Sequence, residues 1–149
     1  MRFWLFKSEP SAWSWDDQVA RGAAGEPWDG VRNAQARNHM AEMALGDRGL
    51  FYHSQGERAV VGCVEVSAEA APDPTADDPR WVCVTLRALE ALPRPVALAE
   101  VKAEPRLAGM ALVRQPRLSV QPVAEAEWRL IRAMGGLNGG GGGGGGGGA

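Results

Sequence analysis

Three short stretches gather the groups that could do chemistry: "FKSEP" at 6–10, "WDGVRNAQARN" at 28–38 and "FYHS" at 51–54. The middle one is the least like a core helix. It holds three side-chain amides, two guanidiniums, an indole and an Asp-Gly turn, with almost nothing apolar between them. Asn and Gln carry both a donor and an acceptor, which suits the edge of a nucleobase. An indole offers a flat face on which a base stacks, worth about 1–3 kcal/mol. Backbone N–H groups at a helix start can take an anion such as phosphate. Trp28 and the amides from Asn33 onward thus outline one wall of a base site. The same residues also suit a plainer role, in which Trp28 plugs the core and the amides cap the loop.

In "FKSEP", Lys7, Ser8 and Glu9 supply a cation, a hydroxyl and a carboxylate in succession. Successive strand residues point to opposite faces, so all three share a pocket wall only if the strand ends there. Pro10 is a reason for it to end. A Ser-Lys nucleophilic pair is conceivable, but adjacency in sequence is poor geometry for one. In "FYHS", Tyr52, His53 and Ser54 stand ready to join a site, yet no acidic partner lies at a spacing diagnostic of a triad. His39 has no second ligand four residues on, so no metal is expected, and no glycine-rich phosphate loop or other cofactor motif is visible. Cys63 and Cys83 sit in apolar β-like runs without metal spacing. They read as buried free thiols of a reducing compartment.

These stretches need elements to hold them. Residues 2–7 alternate and are aromatic-rich, as a strand is. Ser14 and Asp17 form a capping-box pattern for a short helix ending near Arg21, with Gly22 as its stop. Asn33 is the expected N-cap of a helix to about Leu45, ended by Gly46. "GLFYHS" and "AVVGCVEVS", separated by "QGER", read as a hairpin. "AEAAPDPTADDP" reads as a solvated loop and "RWVCVTLRAL" as a strand. "PRPVALAEVKAEP" holds a short helix bracketed by prolines, "LVRQPRLSVQPV" a further strand, and "AEAEWRLIRAM" a final amphipathic helix closed by Gly135 and Gly136. Strands and short helices without regular βαβ alternation point to an α+β fold, a small bent sheet or partial barrel flanked by helices.

The chain has 149 residues and a net charge of -2. Residues 138–149 are almost pure glycine, which reads as a flexible linker or an expression remnant, leaving a single folding unit over 1–137. The acidic balance argues against a protein that coats nucleic acid through bulk charge, but not against one that reads a single base in a pocket. No apolar run approaches the roughly 20 residues that span a membrane, so a cytoplasmic protein is expected.

"WLFKSEP" at 4–10, "WDGVRNAQARN" at 28–38, "GDRGLFYHS" at 46–54, "VVGCVEV" at 60–66 and "RQPRLSVQPV" at 114–123 follow one another in an order that resembles the EVE domain of the PUA-like superfamily. The resemblance runs from the first residues to the last helix. It implies a bent, β-barrel-like sheet flanked by short helices, and no catalysis. It also implies recognition of a modified base, 5-methylcytosine or a similar one, in DNA or RNA. Carried onto this sequence, the pocket is Lys7, Ser8, Glu9, Trp28, Val31, Arg32, Asn33, Tyr52, His53 and Ser54. The segment from Ala68 to Pro79 is shorter than in eukaryotic members, as in a compact bacterial one.

The mechanism expected from this is capture of a flipped base, which costs a few kcal/mol and least in single strands. Trp28 stacks on the base, Ser8, Asn33 and Ser54 read its edge, and Val31 takes an added methyl group. Arg32, Arg37, Arg114 and Arg117 are the expected phosphate contacts, since five basic and two acidic residues lie between Arg94 and Arg117. The chain is expected to act as a monomer. A different class stays open: a sensor that binds a free modified nucleobase or nucleotide, which the acidic balance mildly favours.

Overall fold

The aromatic run at the start of the chain forms β1, Phe3–Ser8. Its alternation sends Trp4 and Phe6 to one face of a sheet and Leu5 to the other, so that the strand is buried on both sides. In the computed structural model, which describes residues 1–137, β1 is followed by α1 (Trp15–Ala20), β2 (Glu26–Pro27) and α2 (Ala34–Glu42). Three strands come next: β3 (Arg48–His53), β4 (Ala59–Pro72) and β5 (Val82–Ala97). The chain then runs through α3 (Leu98–Ala103), α4 (Ala111–Arg114), β6 (Val120–Val123) and α5 (Glu125–Met134). The expected glycine tail lies outside the described residues.

The strands form one six-stranded mixed sheet in the order β2-β5-β4-β3-β1-β6. It is not closed, so the expected partial barrel is an open, bent sheet. Only β1 and β3 run parallel, with Phe3 opposite Arg48 and Ser8 opposite His53. The crossover between them carries α1 and α2, as a parallel pair requires. The register of β4 against β5 shifts at four points along their length, and such bulges bend a sheet and increase its twist. One core lies under α1 and α2 and contains Trp4, Phe6, Trp15, Trp28, Met40 and Phe51. The other lies under α3 to α5 and contains Leu5, Leu50, Tyr52, Cys63, Trp128 and Ile131. Both belong to a single domain.

Helix starts fall where the sequence places them. Ser14 and Asp17 complete a reciprocal capping box, and Asn33 caps α2. α1 and α5 also end where expected, with C-caps at Arg21 and Gly135, but the end of α2 and the long hairpin differ. α2 stops at Glu42 rather than Leu45, because buried Met43 turns extended and Asp47 then bonds back to Ala44. The stretch expected as a loop from Ala68 begins as strand. β4 continues to Pro72, with Ala71 opposite Cys83, since pairing with β5 overrides the poor β-propensity of Ala and Pro.

Candidate nucleic-acid interface

At the end of β1 the chain curls back. The N–H groups of Ala12 and Trp13 both donate to the Glu9 carbonyl at 2.9 Å. This turn brings Lys7, Ser8, Glu9 and Trp13 onto one cavity of about 540 Å³. All three residues of the "KSE" triplet therefore share a wall, because the strand ends among them. None is arranged as a nucleophilic pair. The Ser8 hydroxyl donates to the Trp13 carbonyl, and the Lys7 ammonium donates to the Pro116 carbonyl. Burial pushes the Lys7 pKa below its ordinary value. Glu9 accepts from Gln55 Nε2 at 2.8 Å.

The opposite wall is the loop that begins with Trp28. Its backbone N–H donates to the Val84 carbonyl at 2.7 Å. The indole is only 9% exposed and packs edge-on against Phe6 and Phe51, with ring centroids 5.6 and 5.7 Å away. The two sequence readings of Trp28 thus combine: it is a core residue whose remaining surface lines the cavity. It is not the exposed plate that its setting in the sequence suggests. Val31, half-buried, lines the same space. Asn33 spends its Oδ1 on the α2 cap, accepting from Ala36 N–H at 2.9 Å, which leaves its NH₂ to meet a ligand.

Arg32 is anchored. Its guanidinium donates to Asp73 at 3.0 Å and to Thr75 Oγ1 at 3.1 Å. Asp73 also accepts from the Gly30 N–H at 2.8 Å and from both the backbone and the hydroxyl of Thr75. Burial works to raise the Asp73 pKa. The bonds from Thr75, Gly30 and Arg32 outweigh it and hold the carboxyl at about 2. This one carboxylate ties the cavity loop to the β4–β5 turn.

Tyr52, His53 and Ser54 do not line the cavity. The alternation of β3 sends Tyr52 into the other core. His53 Nε2 accepts the Trp15 N–H at 3.1 Å, and the Ser54 hydroxyl donates to the Ser8 carbonyl at 3.2 Å. They brace the β1 end from behind. Of the three groups expected to read a base edge, Ser8 and Ser54 already donate to main-chain carbonyls, which leaves Asn33.

The expected phosphate contacts divide. The Arg37 and Arg32 guanidiniums lie 5.2 and 5.7 Å from the Trp81 ring centroid, a cation–aromatic patch beside the cavity loop. Arg114 and Arg117 are exposed, and Arg117 lines a neighbouring groove of about 390 Å³.

The sequence reading missed Trp13, Glu26, Asp29 and Ser119, which line the cavity too. Trp13 is held by Gln18, which accepts from its indole N–H at 2.9 Å and is itself fully buried. An aromatic residue just before the Ser14 cap, in the short turn between β1 and α1, was the available signal. With Glu9, Glu26 and Asp29 on the lining against Lys7 and Arg32, carboxylates outnumber cations there. Among the described residues no group of three or more His, Cys, Asp or Glu could hold a metal, and no helix is long and apolar enough to cross a membrane.

Residues 2–134 match the family model of the EVE domain. The chain belongs to the EVE domain family. Thymocyte nuclear protein 1 of Mus musculus is 32% identical to this EVE domain over 164 aligned residues, covering 89% of the chain and 73% of the relative. A solved protein from Agrobacterium tumefaciens is 53% identical, with a TM-score of 0.92 over 93% of this chain and 96% of the other. The human THYN1 protein has been solved in complex with DNA containing 5-methylcytosine. It is 30% identical, with a TM-score of 0.84, covering 91% of this EVE domain and 98% of that chain.

Proposed function

We propose that this EVE domain is a non-catalytic module that captures one modified base, of the 5-methylcytosine kind, from DNA or RNA. The observation that carries this reading is the cavity itself. Two indoles, Trp13 and Trp28, stand on its lining with the amide of Asn33 and three carboxylates. Its volume lies within the range of about 300–1,000 Å³ typical of small-ligand sites. The human relative's complex with 5-methylcytosine DNA supports it.

The chemistry favours entry by the base rather than the phosphate. Carboxylates accept from the exocyclic amine of cytosine and repel a phosphate. A methyl group placed against Val31 gains about 0.8 kcal/mol by transfer from water, so it sharpens selection only modestly. Stacking on the indole surface offsets the few kcal/mol of unstacking. A binding role is also consistent with Ser8, Lys7 and His53, each of which is engaged by a main-chain group.

The test is a titration of single-stranded oligonucleotides that differ at one central base: cytosine, 5-methylcytosine, 5-hydroxymethylcytosine or N-methyladenine. Because Trp28 is part of the core, Asn33→Ala and Trp13→Ala accompany Trp28→Phe as variants. Selective binding of one modified base that Asn33→Ala and Trp13→Ala reduce supports the reading. Equal binding of all four, with no effect of the variants, overturns it. Binding of the free nucleoside as tight as that of the oligonucleotide, at any salt, would favour the sensor.

A further inference from the structure

A second groove opens beside the cavity, and Asn33 stands on the wall of both. Its other walls are Gln35 on α2 and the turn from Gln115 to Leu118. Four bonds preform that turn. Gln121, fully buried, donates its side-chain NH₂ to the carbonyls of Gln115 and Leu118 at 3.2 and 2.9 Å. The Lys7 ammonium holds the Pro116 carbonyl, and the Leu118 N–H closes on the Gln115 carbonyl at 3.1 Å. Across the groove the side-chain amides of Gln35 and Gln115 meet at 3.2 Å, both on exposed residues. Arg117 adds a guanidinium to the lining, and Arg114 stands exposed at the end of α4, directly before the turn.

Resting on the base-capture reading, we infer that this groove is the seat of the nucleotide next to the captured base. Its character is opposite to that of the cavity. The cavity lining has more carboxylates than cations. The groove lining has no carboxylate and one cation. A strand whose base enters the cavity must lay its sugar and phosphate outside it, and the groove shares a wall with the cavity and carries the matching charge. Arg117 contacts the phosphodiester, and the Gln35–Gln115 pair bonds the edge of the neighbouring base, since two amides supply donors and acceptors to any base. The ligand is therefore a polymer, with a tolerant rather than strict preference at the neighbouring position.

The experiment compares 5-methyldeoxycytidine with a single-stranded trinucleotide carrying it at the centre, each beside its unmethylated counterpart, by calorimetric titration. The wild type is set beside Gln35→Ala/Gln115→Ala, Arg117→Glu and Arg117→Lys. The trinucleotide is expected to bind about tenfold more tightly than the nucleoside. Either Gln35→Ala/Gln115→Ala or Arg117→Glu reduces that ratio to about threefold or less, and Arg117→Lys keeps most of it. If the trinucleotide binds more tightly but by the same ratio in every variant, the groove assignment is wrong and base capture stands. If the nucleoside binds and the trinucleotide binds no better, the groove assignment is wrong and the cavity serves a free nucleoside instead. If neither ligand is preferred over its unmodified counterpart, base capture fails and the groove assignment fails with it. The exposed positions of the three side chains leave the fold intact, which circular dichroism of each variant checks.

Discussion

Asp73 accepts four hydrogen bonds, two of them from Gly30 and Arg32 of the cavity loop. Its pKa of about 2, against an ordinary 3.8, means that the folded state favours the charged form. The unfolded chain binds the proton more tightly, so this stabilisation is complete above about pH 4 and is lost as the pH falls towards 2. Its size is about 2 kcal/mol. Asp73→Asn is expected to lower the unfolding free energy by about 2–3 kcal/mol at pH 7, and by less at pH 3. Urea titrations at the two pH values check both the loss and its direction. Arg32 and Gly30 lose an anchor in the same variant, so base binding weakens with it.

His53 has the same sign for a different reason. Burial lowers its pKa below 6.5, against the opposing pull of Glu57 and Asp16. The neutral ring accepts the Trp15 N–H, and the protonated ring cannot. Stability from this bond is present above pH 6.5 and is lost as the pH falls through the lowered folded value. His53→Gln keeps an acceptor without a titration. Its stability between pH 5 and 7 should therefore change less than that of the wild type, measured by thermal unfolding. Cys63 gives a third residue-scale expectation. Burial pushes its thiol up to about 11, despite the guanidinium of Arg132 at 3.3 Å. Thiol reagents should modify it only on unfolding, which a labelling time course with and without urea shows.

At the scale of elements, β4 and α1 meet through a glycine. A Cβ on Gly62 would fall 2.5 Å from the Trp15 ring, so the helix sits on the strand only because that side chain is missing. Gly62→Ala is expected to cost about 1–3 kcal/mol through overpacking, and to perturb Trp13 through the displaced α1. Chemical unfolding, with tryptophan emission as the readout, checks both. Local signals foresaw the starts of α1 and α2, because a cap is written within four residues of itself. The β1 triplet was legible for the same reason, since Pro10 marks the strand end. Trp13, Gln18 and Asp73 were not legible, because their partners lie on other elements and carry no local pattern. Tyr52, His53 and Ser54 were assigned to the pocket by motif. The period-2 alternation of their own strand puts Tyr52 in the opposite core, and the remaining two serve as braces.

For the molecule as a whole, the sheet order matters more than any single contact. Lys7 to Trp13, Glu26 to Asn33 and Ser119 form one cavity only because β1 lies between β3 and β6. Removing residues 119–149 is therefore expected to abolish folding rather than trim the site, with loss of the cooperative thermal transition seen by circular dichroism. The same topology has a consequence in time. β1 is made long before β6, yet Phe6 pairs with Val120, more than a hundred residues on. At roughly 5–20 residues per second, β1 leaves the ribosome on the order of ten seconds before its last neighbour exists. During that interval Trp4, Leu5 and Phe6 are an apolar segment without a complete sheet, in a chain whose long-range pairings make folding slow. The cavity therefore cannot take shape until Ser119 has been made, and the core under α5 is completed only after it.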